Sequence, residues 1–480
     1  MLVALAVTLV MMAAVVNLFA NISGSIRNRR AMIEVGGQIR QVRQRLALDL
    51  EGATCAAKTW QLPSENCGYI EIIEGEYSDA FPSILVDGVL PATASNPELD
   101  YATSLVPSGG DVTTDLTLTN PQLTARQPQL GDVTNGRALG DWDDTLALTV
   151  RSESEPFRGR VSFLNAANVW EARIEGVPLA EVIWFCGENR ATADGELGMR
   201  KIYRRALLIA PSAALPPLSS FSGTSDDERL LDYYSQYDVS ARVEGGQLVP
   251  NTLGDLTKRE FRFSRAIGSS FPHLLSRGLL SSNAVAANLL LSDALAFDVR
   301  VFDAGAPLYN AGVGAVVQPG DPGWVPAATA AVPPVPVGFG AYCDMGWNLN
   351  GATRYYTPSA GALAVPFSEP HQAGYHPRYN AFGGVTVFDT WSFHYENDGI
   401  NQDIGQTDLV VTNPGAWRDT LDQGTNGLDD DNINGVDDMG ERETSPPYDT
   451  PLRGVKVILR IYETDARQIR ETSVTHSFAP

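Results

Sequence analysis

The chain has 480 residues, with 57 acidic against 35 basic side chains and a formal net charge of −22. Nucleic-acid binding is excluded as a function class, because phosphates require a basic surface. Hydrophobic residues make up 44% and charged residues 19%, which excludes disorder and favours two or three packed lobes. The 44 glycines and 30 prolines predict many turns and a β-rich body.

The first 20 residues form an apolar run in which Thr8 and Asn17 are the only polar side chains, and the first charge is Arg27. A helix of about 20 apolar residues spans the hydrocarbon core of a bilayer. The run therefore predicts a membrane-embedded helix.

The helical pattern continues beyond the apolar run. Its apolar positions alternate in steps of three and four, which predicts one buried face on a continuing helix. These positions are Met32, Val35, Ile39, Val42 and Leu46. The sequence therefore predicts one helix over residues 1–54, apolar all round at first and amphipathic later.

Two segments, MLVALAVTLVMMAAVVNLF and QIRQVRQRLALDLEGA, resemble the N-terminus of type IV pilins and type II secretion pseudopilins, especially the large J-type minor pseudopilins. The resemblance implies that Asp49 lies where the chain leaves the N-terminal helix. The family's basic leader and its Phe-Thr-Leu-x-Glu opening do not precede Met1. Two alternatives follow: either a leader is encoded upstream of Met1, or the chain is not processed as a pilin.

The resemblance implies an α+β fold class, with a long N-terminal membrane-emergent helix packed on an antiparallel β-sheet head that carries large loop-rich insertions. It implies other pilin-like subunits, the inner membrane and a secreted substrate as partners, whereas the acidic net charge argues against nucleic acid. The head would lie in the periplasm or at the tip of a pilus-like fibre.

Turn-rich stretches divide the remaining chain. The predicted divisions are a β-rich head at 55–210, an inserted helical or irregular region at 211–292, and late head strands at 293–480 with an insertion at 304–445. Alternating or apolar runs predict strands, and Ser225 is a helix N-cap candidate. The strands are 145–151, a hairpin of 179–186 and 200–209, 296–303, 384–393 and a closing hairpin within 451–478; a further helix is expected at 282–291.

The sharpest local motif is the acidic loop from Asp430 to Glu441, which fits the pattern D-x-[DN]-x-[DN]-G-x5-E. This spacing wraps hard oxygen ligands around one Ca²⁺. Gly435 would allow the sharp turn, while Asp437 replaces the usual aliphatic residue. The predicted ligands are Asp430, Asn432, Asn434, the Val436 carbonyl, Asp438 and Glu441. The alternative is a solvated acidic turn.

The four cysteines lack zinc-site spacing. Cys55 and Cys67 are the favoured disulfide pair, with free buried thiols as the alternative. A second acidic turn, 396–403, is interpreted as a turn rather than an ion site. His371 and His376 are interpreted as surface loop residues.

The sequence contains none of the nucleophile, zinc-protease or phosphate-loop motifs, and we predict that the chain is not an enzyme. The leading hypothesis is a structural minor pseudopilin or pilin-like subunit that assembles through its N-terminal helix and carries a calcium-stabilised loop. The alternatives are a membrane-anchored calcium-dependent adhesin and an anchored hydrolase working through carboxylates.

Overall fold

The structure is a computed structural model of the chain. It describes residues 2–74, 144–188, 200–276, 279–280, 288–310, 316–321, 324, 328, 335–350, 353–354, 356–357, 364–370, 386–400, 402, 427–429, 435–437, 442, 444–463 and 468–478.

The helices are α1 (Leu2–Glu51), α2 (Asp226–Gln236) and α3 (Leu253–Leu256), joined by 3-10 turns at Pro63–Glu65, Leu218–Ser220, Arg259–Phe261 and Phe393–Glu396. The strands are β1 (Ile70–Ile73), β2 (Thr145–Arg151), β3 (Phe157–Leu164), β4 (Trp170–Val177), β5 (Leu179–Glu188), β6 (Arg200–Leu208), β7 (Ala241–Glu244), β8 (Gln247–Pro250), β9 (Asn288–Asn310), β10 (Val316–Val317), β11 (Gly338–Cys343), β12 (Leu349–Asn350), β13 (Thr353–Arg354), β14 (Val387–Asp389), β15 (Gly454–Glu463) and β16 (Gln468–Ser477).

Ten of these strands form one sheet with the order β14-β1-β2-β5-β6-β9-β15-β16, and β10 and β11 also pair with β9. All pairings between these strands are antiparallel. The 23-residue β9 is the central member, because it contacts β6 and β11 as well as β15. A strand this long couples the first half of the chain to its C-terminal hairpin.

The sheet is buried on both faces. Along β2, Leu146 and Leu148 belong to the cluster under α1, whereas Ala147 belongs to a second cluster on the opposite side. Successive side chains of a strand point to opposite faces, so both faces must be covered. Residues of the 211–280 region, including Tyr233 in α2 and Leu256 in α3, cover the second face.

Helix α1 covers the first face with the side chains that the sequence predicted. Ile39, Val42 and Leu46 are buried, and Leu50 extends the same row. They pack in one cluster with Trp184 and sheet residues of β9 and β15. Burying each such side chain contributes on the order of 1.5–3 kcal/mol.

The predicted fold class, α+β, is wrong. Strands make up 39% of the described residues and helices 22%, and the body is one large antiparallel sheet. Within the residues that the structure describes, no helix is both long and apolar enough to cross a membrane. Among the described residues after 210, the named helices are only the 11-residue α2 and the 4-residue α3, so most of the body described there is strand and turn.

Several local predictions are confirmed. The hairpin of β5 and β6 and the closing hairpin of β15 and β16 pair antiparallel over most of their length. Ser225 caps α2, and its side chain accepts from the Glu228 N–H in a capping box. The helix predicted at 282–291 is wrong for its last four residues, which begin β9 and pair with β6.

Candidate functional site

The N-terminal part of α1 carries large apolar side chains that no other described part of the chain covers. All described side chains between residues 11 and 19 are exposed. The large apolar ones are between 50% and 66% exposed, namely Met11, Met12, Val15, Val16, Leu18 and Phe19. Such a surface on one helix indicates a contact with lipid or with another apolar helix.

The other end of α1 is fixed to the sheet by a buried ion pair. The Asp49 carboxylate accepts from Arg204 Nε at 2.6 Å and from Arg204 Nη2 at 2.8 Å. It also accepts from Trp184 Nε1 at 2.9 Å. Asp49 is 2% exposed and Arg204 is 4% exposed, so solvent screens this pair little. We call Asp49, Trp184 and Arg204 the helix latch.

The helix latch joins residues that are distant in the sequence. Asp49 lies near the end of α1, Trp184 on β5 and Arg204 on β6, where Trp184 and Arg204 are direct cross-strand partners. The sequence singled out Asp49 only through its resemblance to a helix exit. Arg204 could have been suspected as a partner because it lies with Arg205 in the middle of a predicted strand.

The calcium loop is described only in part. Asp430, Asn432, Asn434, Asp438 and Glu441 lie outside the described residues. Within this loop the structure describes residues 435–437. Gly435 has φ +106°, which suits a sharp turn, and the side chain of Val436 is 57% exposed. The Asp437 carboxylate accepts from the Gly427 N–H at 3.0 Å, and the Asp437 N–H donates to the Leu428 carbonyl at 3.3 Å. The residue that departs from the calcium pattern therefore closes the turn around the loop.

The disulfide favoured from the sequence is not formed. All four cysteines are free thiols. The Cys67 thiol donates to Gln61 Oε1 at 3.1 Å, and burial raises the pKa of the Cys55 thiol above its ordinary value. Both groups are therefore held as protonated thiols.

Of the second acidic turn, 396–403, the structure describes residues 396–400 and 402. Glu396 is fully buried and accepts from the Thr444 hydroxyl at 2.5 Å. The Asp398 carboxylate accepts from the Ile400 N–H at 2.7 Å. His371 and His376 lie outside the described residues. Among the residues that are described, no group of three or more His, Cys, Asp and Glu side chains is arranged to hold a metal ion.

A buried ion network that the sequence did not predict joins the sheet to the segment after α3. Glu71 on β1 and Asp389 on β14 are direct cross-strand partners, so two like charges stand side by side. Arg259 and Arg262 each bridge both carboxylates, and Arg265 Nη2 lies 2.5 Å from Glu71 Oε2. Burial raises the pKa of Glu71, but the three arginines outweigh it and lower the value to about 2.

The signal for this network was present in the sequence. The arginines recur at intervals of three, and the carboxylates interrupt strands that are otherwise apolar. Neither pattern identifies its partner, because Glu71 and Asp389 are separated from the arginines by well over one hundred residues.

A second buried group consists of four carboxylates, two of which lie close to Arg300. Glu74, Asp144, Asp298 and Asp344 are all at most 4% exposed. Arg300 Nη2 lies 3.0 Å from Asp298 Oδ2, and its Nε lies 3.5 Å from Asp344 Oδ1. Burial and the charge of Asp144 raise the pKa of Glu74 well above its ordinary value. We call these four carboxylates the acidic cluster.

Comparison of the chain with protein-family models, with curated proteins and with solved structures returned no match.

Proposed function

We propose that the chain is a structural minor pseudopilin or pilin-like subunit, which assembles with other pilin-like subunits through the apolar surface of α1. The proposal places the chain at the inner membrane, or at the tip of a pilus-like fibre, with its sheet body outside the cytoplasm. The observation that carries it is the exposed apolar surface from Met11 to Phe19 on a helix that the latch fixes at its other end.

The physical argument concerns what an uncovered apolar helix requires. Side chains such as Val16 and Phe19 gain on the order of 1.5–3 kcal/mol each when they leave water. No part of the described body reaches them, which supports an apolar environment that comes from outside the chain. In a fibre core the helices of neighbouring subunits supply it, and lipid supplies it before assembly.

The arrangement of α1 also favours a role in assembly over a simple tether. A tether needs no fixed orientation relative to its body. Here Ile39, Val42 and Leu46 bury one face of the helix, and Asp49 is hydrogen-bonded to two strands. The exposed surface therefore leaves the body in a defined direction, as a subunit that repeats in a fibre requires.

The test is photo-crosslinking in cells. A photoreactive side chain at Val16 is expected to form adducts with other pilin-like subunits, and the substitution Phe19→Asp is expected to abolish assembly. Gln41 is the matched control, because it is exposed on the same helix but lies beside the body. Gln41→Asp adds the same charge and should leave assembly intact. Adducts at Gln41 but none at Val16 would contradict the proposal.

We further propose that the 430–441 loop binds one Ca²⁺ that stabilises the body. Six acidic side chains between Asp429 and Glu441 repel one another without a cation. Calcium should raise the melting temperature, and Glu441→Gln should abolish that increase because it removes the predicted bidentate ligand. Asp437→Asn is the matched control, since it removes one charge but no predicted ligand. A melting temperature that does not change between Ca²⁺ and chelator would refute this part.

A further inference from the structure

The hairpin of β3 and β4 stands apart from the ten-stranded sheet and leaves one strand edge uncovered. It forms a two-stranded sheet of its own, in which Phe157 lies opposite Val177 and Leu164 lies opposite Trp170. Strand β3 faces the body, because Phe157 and Val161 belong to the cluster under α1. Among the described residues β4 pairs with β3 alone, so the outer edge of this eight-residue strand has no strand partner there. Such an edge is a template for pairing with another strand.

The hydrogen bonds around the hairpin determine which residues of β4 point their backbone groups outward. At the turn the Asn165 N–H donates to the Val169 carbonyl at 2.9 Å, so the hydrogen-bonded pairs of the hairpin are those with odd residue numbers. In agreement, Arg160 points its backbone away from β4, and its carbonyl accepts from the Asp238 N–H at 2.8 Å. The outward N–H and C=O groups of β4 therefore belong to the even-numbered residues, which are Trp170, Ala172, Ile174 and Gly176.

The hairpin also differs in charge from the acidic chain as a whole. Its charged residues between 157 and 177 are three arginines and two glutamates, whereas the chain has a net charge of −22, so two copies can approach each other here with little local repulsion. On β4 the sign alternates at every second residue, in the order Glu171, Arg173, Glu175. Within one copy Glu171 accepts from Asn165 Nδ2 at 2.6 Å, and Arg173 forms an ion pair with Glu175. Exposed pairs of this kind contribute little, so both charges can turn to a partner.

Two copies of β4 are complementary when they run antiparallel about a two-fold axis at Ala172. The outward backbone groups of Ala172 then meet those of Ala172 in the second copy, and those of Trp170 meet those of Ile174. Glu171 lies opposite Arg173 of the second copy, and the same contact recurs on the other side of the axis. These two are pairs without backbone hydrogen bonds, in which opposite side chains come closest.

The charges select this register over its neighbours. An axis at Arg173 would set that arginine against itself and would set Glu171 against Glu175, and like charges directly opposite are destabilising. An axis at Ile174 would set Glu171 against the apolar Val177. A slip by one residue is therefore disfavoured in a way that an uncharged edge would not provide.

The same register covers apolar side chains that the hairpin exposes. Ile174 is 67% exposed and Leu164 is 47% exposed. Leu164 is the cross-strand partner of Trp170, so the two side chains share one face of the hairpin. In the pair of copies Ile174 of the second copy lies on that face beside Trp170, and the three side chains form one apolar row across the interface. Their removal from water would add to the backbone hydrogen bonds.

We propose that the outer edge of β4 pairs with the same edge of a second copy of the chain, antiparallel and with the two-fold axis at Ala172. The two hairpins then form one four-stranded sheet between two bodies, with Glu171 and Arg173 paired across it. Identical surfaces that meet about a two-fold axis are the commonest form of self-association. This interface lies on the body and does not depend on the assembly role of α1, so either proposal can fail without the other.

The test is sedimentation of the full-length protein in a non-ionic detergent, which covers the apolar surface of α1. We expect a monomer–dimer equilibrium with a Kd tighter than about 100 μM. Glu171→Arg and Arg173→Glu each set like charges against each other and should weaken the dimer at least about tenfold. Glu153→Arg is the matched control, because it makes the same charge change at an exposed residue before β3, and it should leave the equilibrium unchanged. A chain that stays monomeric at about 100 μM would overturn the proposal.

Mixing the two variants separates the effect of charge from a failure to fold. An equimolar mixture of Glu171→Arg and Arg173→Glu should form a mixed dimer about as tight as the original, because each copy then offers two like charges to two opposite ones. The double variant, which carries both substitutions, should dimerise with itself for the same reason. Absence of rescue in both experiments would overturn the pairing of Glu171 with Arg173.

A backbone variant and the single variants locate the contact. Ala172→Pro removes the outward N–H at the axis and should weaken the dimer at least about tenfold, while β4 stays paired with β3 because that N–H points away from it. A dimer that persists in Ala172→Pro would place the contact elsewhere and overturn the proposal. A dimer that Arg173→Glu weakens but Glu171→Arg does not would overturn the axis at Ala172, since only an axis at Ile174 pairs Arg173 with Glu175.

Discussion

The helix latch predicts that Asp49→Ala loosens the end of α1 from the sheet. Asp49 accepts three hydrogen bonds, two from Arg204 and one from Trp184. Removing one partner of a buried ion pair costs about 3–5 kcal/mol, because the remaining charge stays buried without compensation. A central value of about 4 kcal/mol corresponds to roughly a thousandfold change in the equilibrium for local opening.

The assay is hydrogen–deuterium exchange of peptides that cover residues 38–51. These peptides contain Ile39, Val42 and Leu46, whose burial holds the helix on the sheet. We expect their opening free energy to fall by about 4 kcal/mol in Asp49→Ala, or to the limit of global unfolding if that is lower. Glu51→Ala is the control, since Glu51 is an exposed carboxylate two residues further on and should change the opening free energy by less than about 0.5 kcal/mol.

A double substitution separates the charge from the packing. Asp49→Leu with Arg204→Met removes both members of the pair and leaves apolar side chains of similar length. Replacing a buried pair in this way is often neutral or stabilising. The double variant should therefore recover most of the stability that Asp49→Ala loses. Exchange in Asp49→Ala that stays within about 1 kcal/mol of the original protein would refute the latch and leave the apolar row as sufficient.

Two further predictions concern the sheet. Glu74 has a raised pKa in the folded protein, so folding favours its protonated form. Its contribution to the free energy of unfolding is complete below the unfolded pKa of about 4. As the pH rises towards the folded pKa, the protein loses up to about 1.4 kcal/mol of stability per pH unit. Glu74→Gln should therefore stabilise the protein by an amount that grows as the pH rises above about 4, and urea unfolding at each pH measures this difference. A difference that does not change with pH would contradict the prediction. Gly68 has φ +83°, and an added Cβ would lie 2.0 Å from Thr149 Oγ1, so Gly68→Ala should destabilise by at least about 2 kcal/mol in the same assay. Gly246→Ala, with φ +77° and open space around it, should cost only about 1 kcal/mol, and equal losses in the two variants would contradict the steric argument.

Local periodicity was sufficient to predict the parts of the fold that depend on neighbouring residues. The row of Ile39, Val42 and Leu46 follows from helical spacing, and the hairpin of β15 and β16 follows from alternation. The N-cap at Ser225 follows from the acidic residues after it, because a capping box is a short-range device.

The rest depended on contacts between distant residues. No local pattern pairs Asp49 with Arg204, since the two are brought together only when α1 lies across β5 and β6. The burial of β2 on both faces could not be predicted from an alternating strand, which is typical of a sheet with one exposed face. For the acidic loop the sequence makes a clear prediction that the structure does not test, because the predicted side-chain ligands lie outside the described residues.

The ion network shows why the regions predicted as insertions are part of the body. Asp389 belongs to a strand within 304–445, and it pairs directly with Glu71 in the first strand of the sheet. Arg259 and Arg262 come from the 211–292 region and neutralise both carboxylates. Without that region, two adjacent carboxylates would be buried without a cation, which is strongly destabilising. The segment after α3 therefore stabilises the pairing of β1 with β14 and is part of the sheet body.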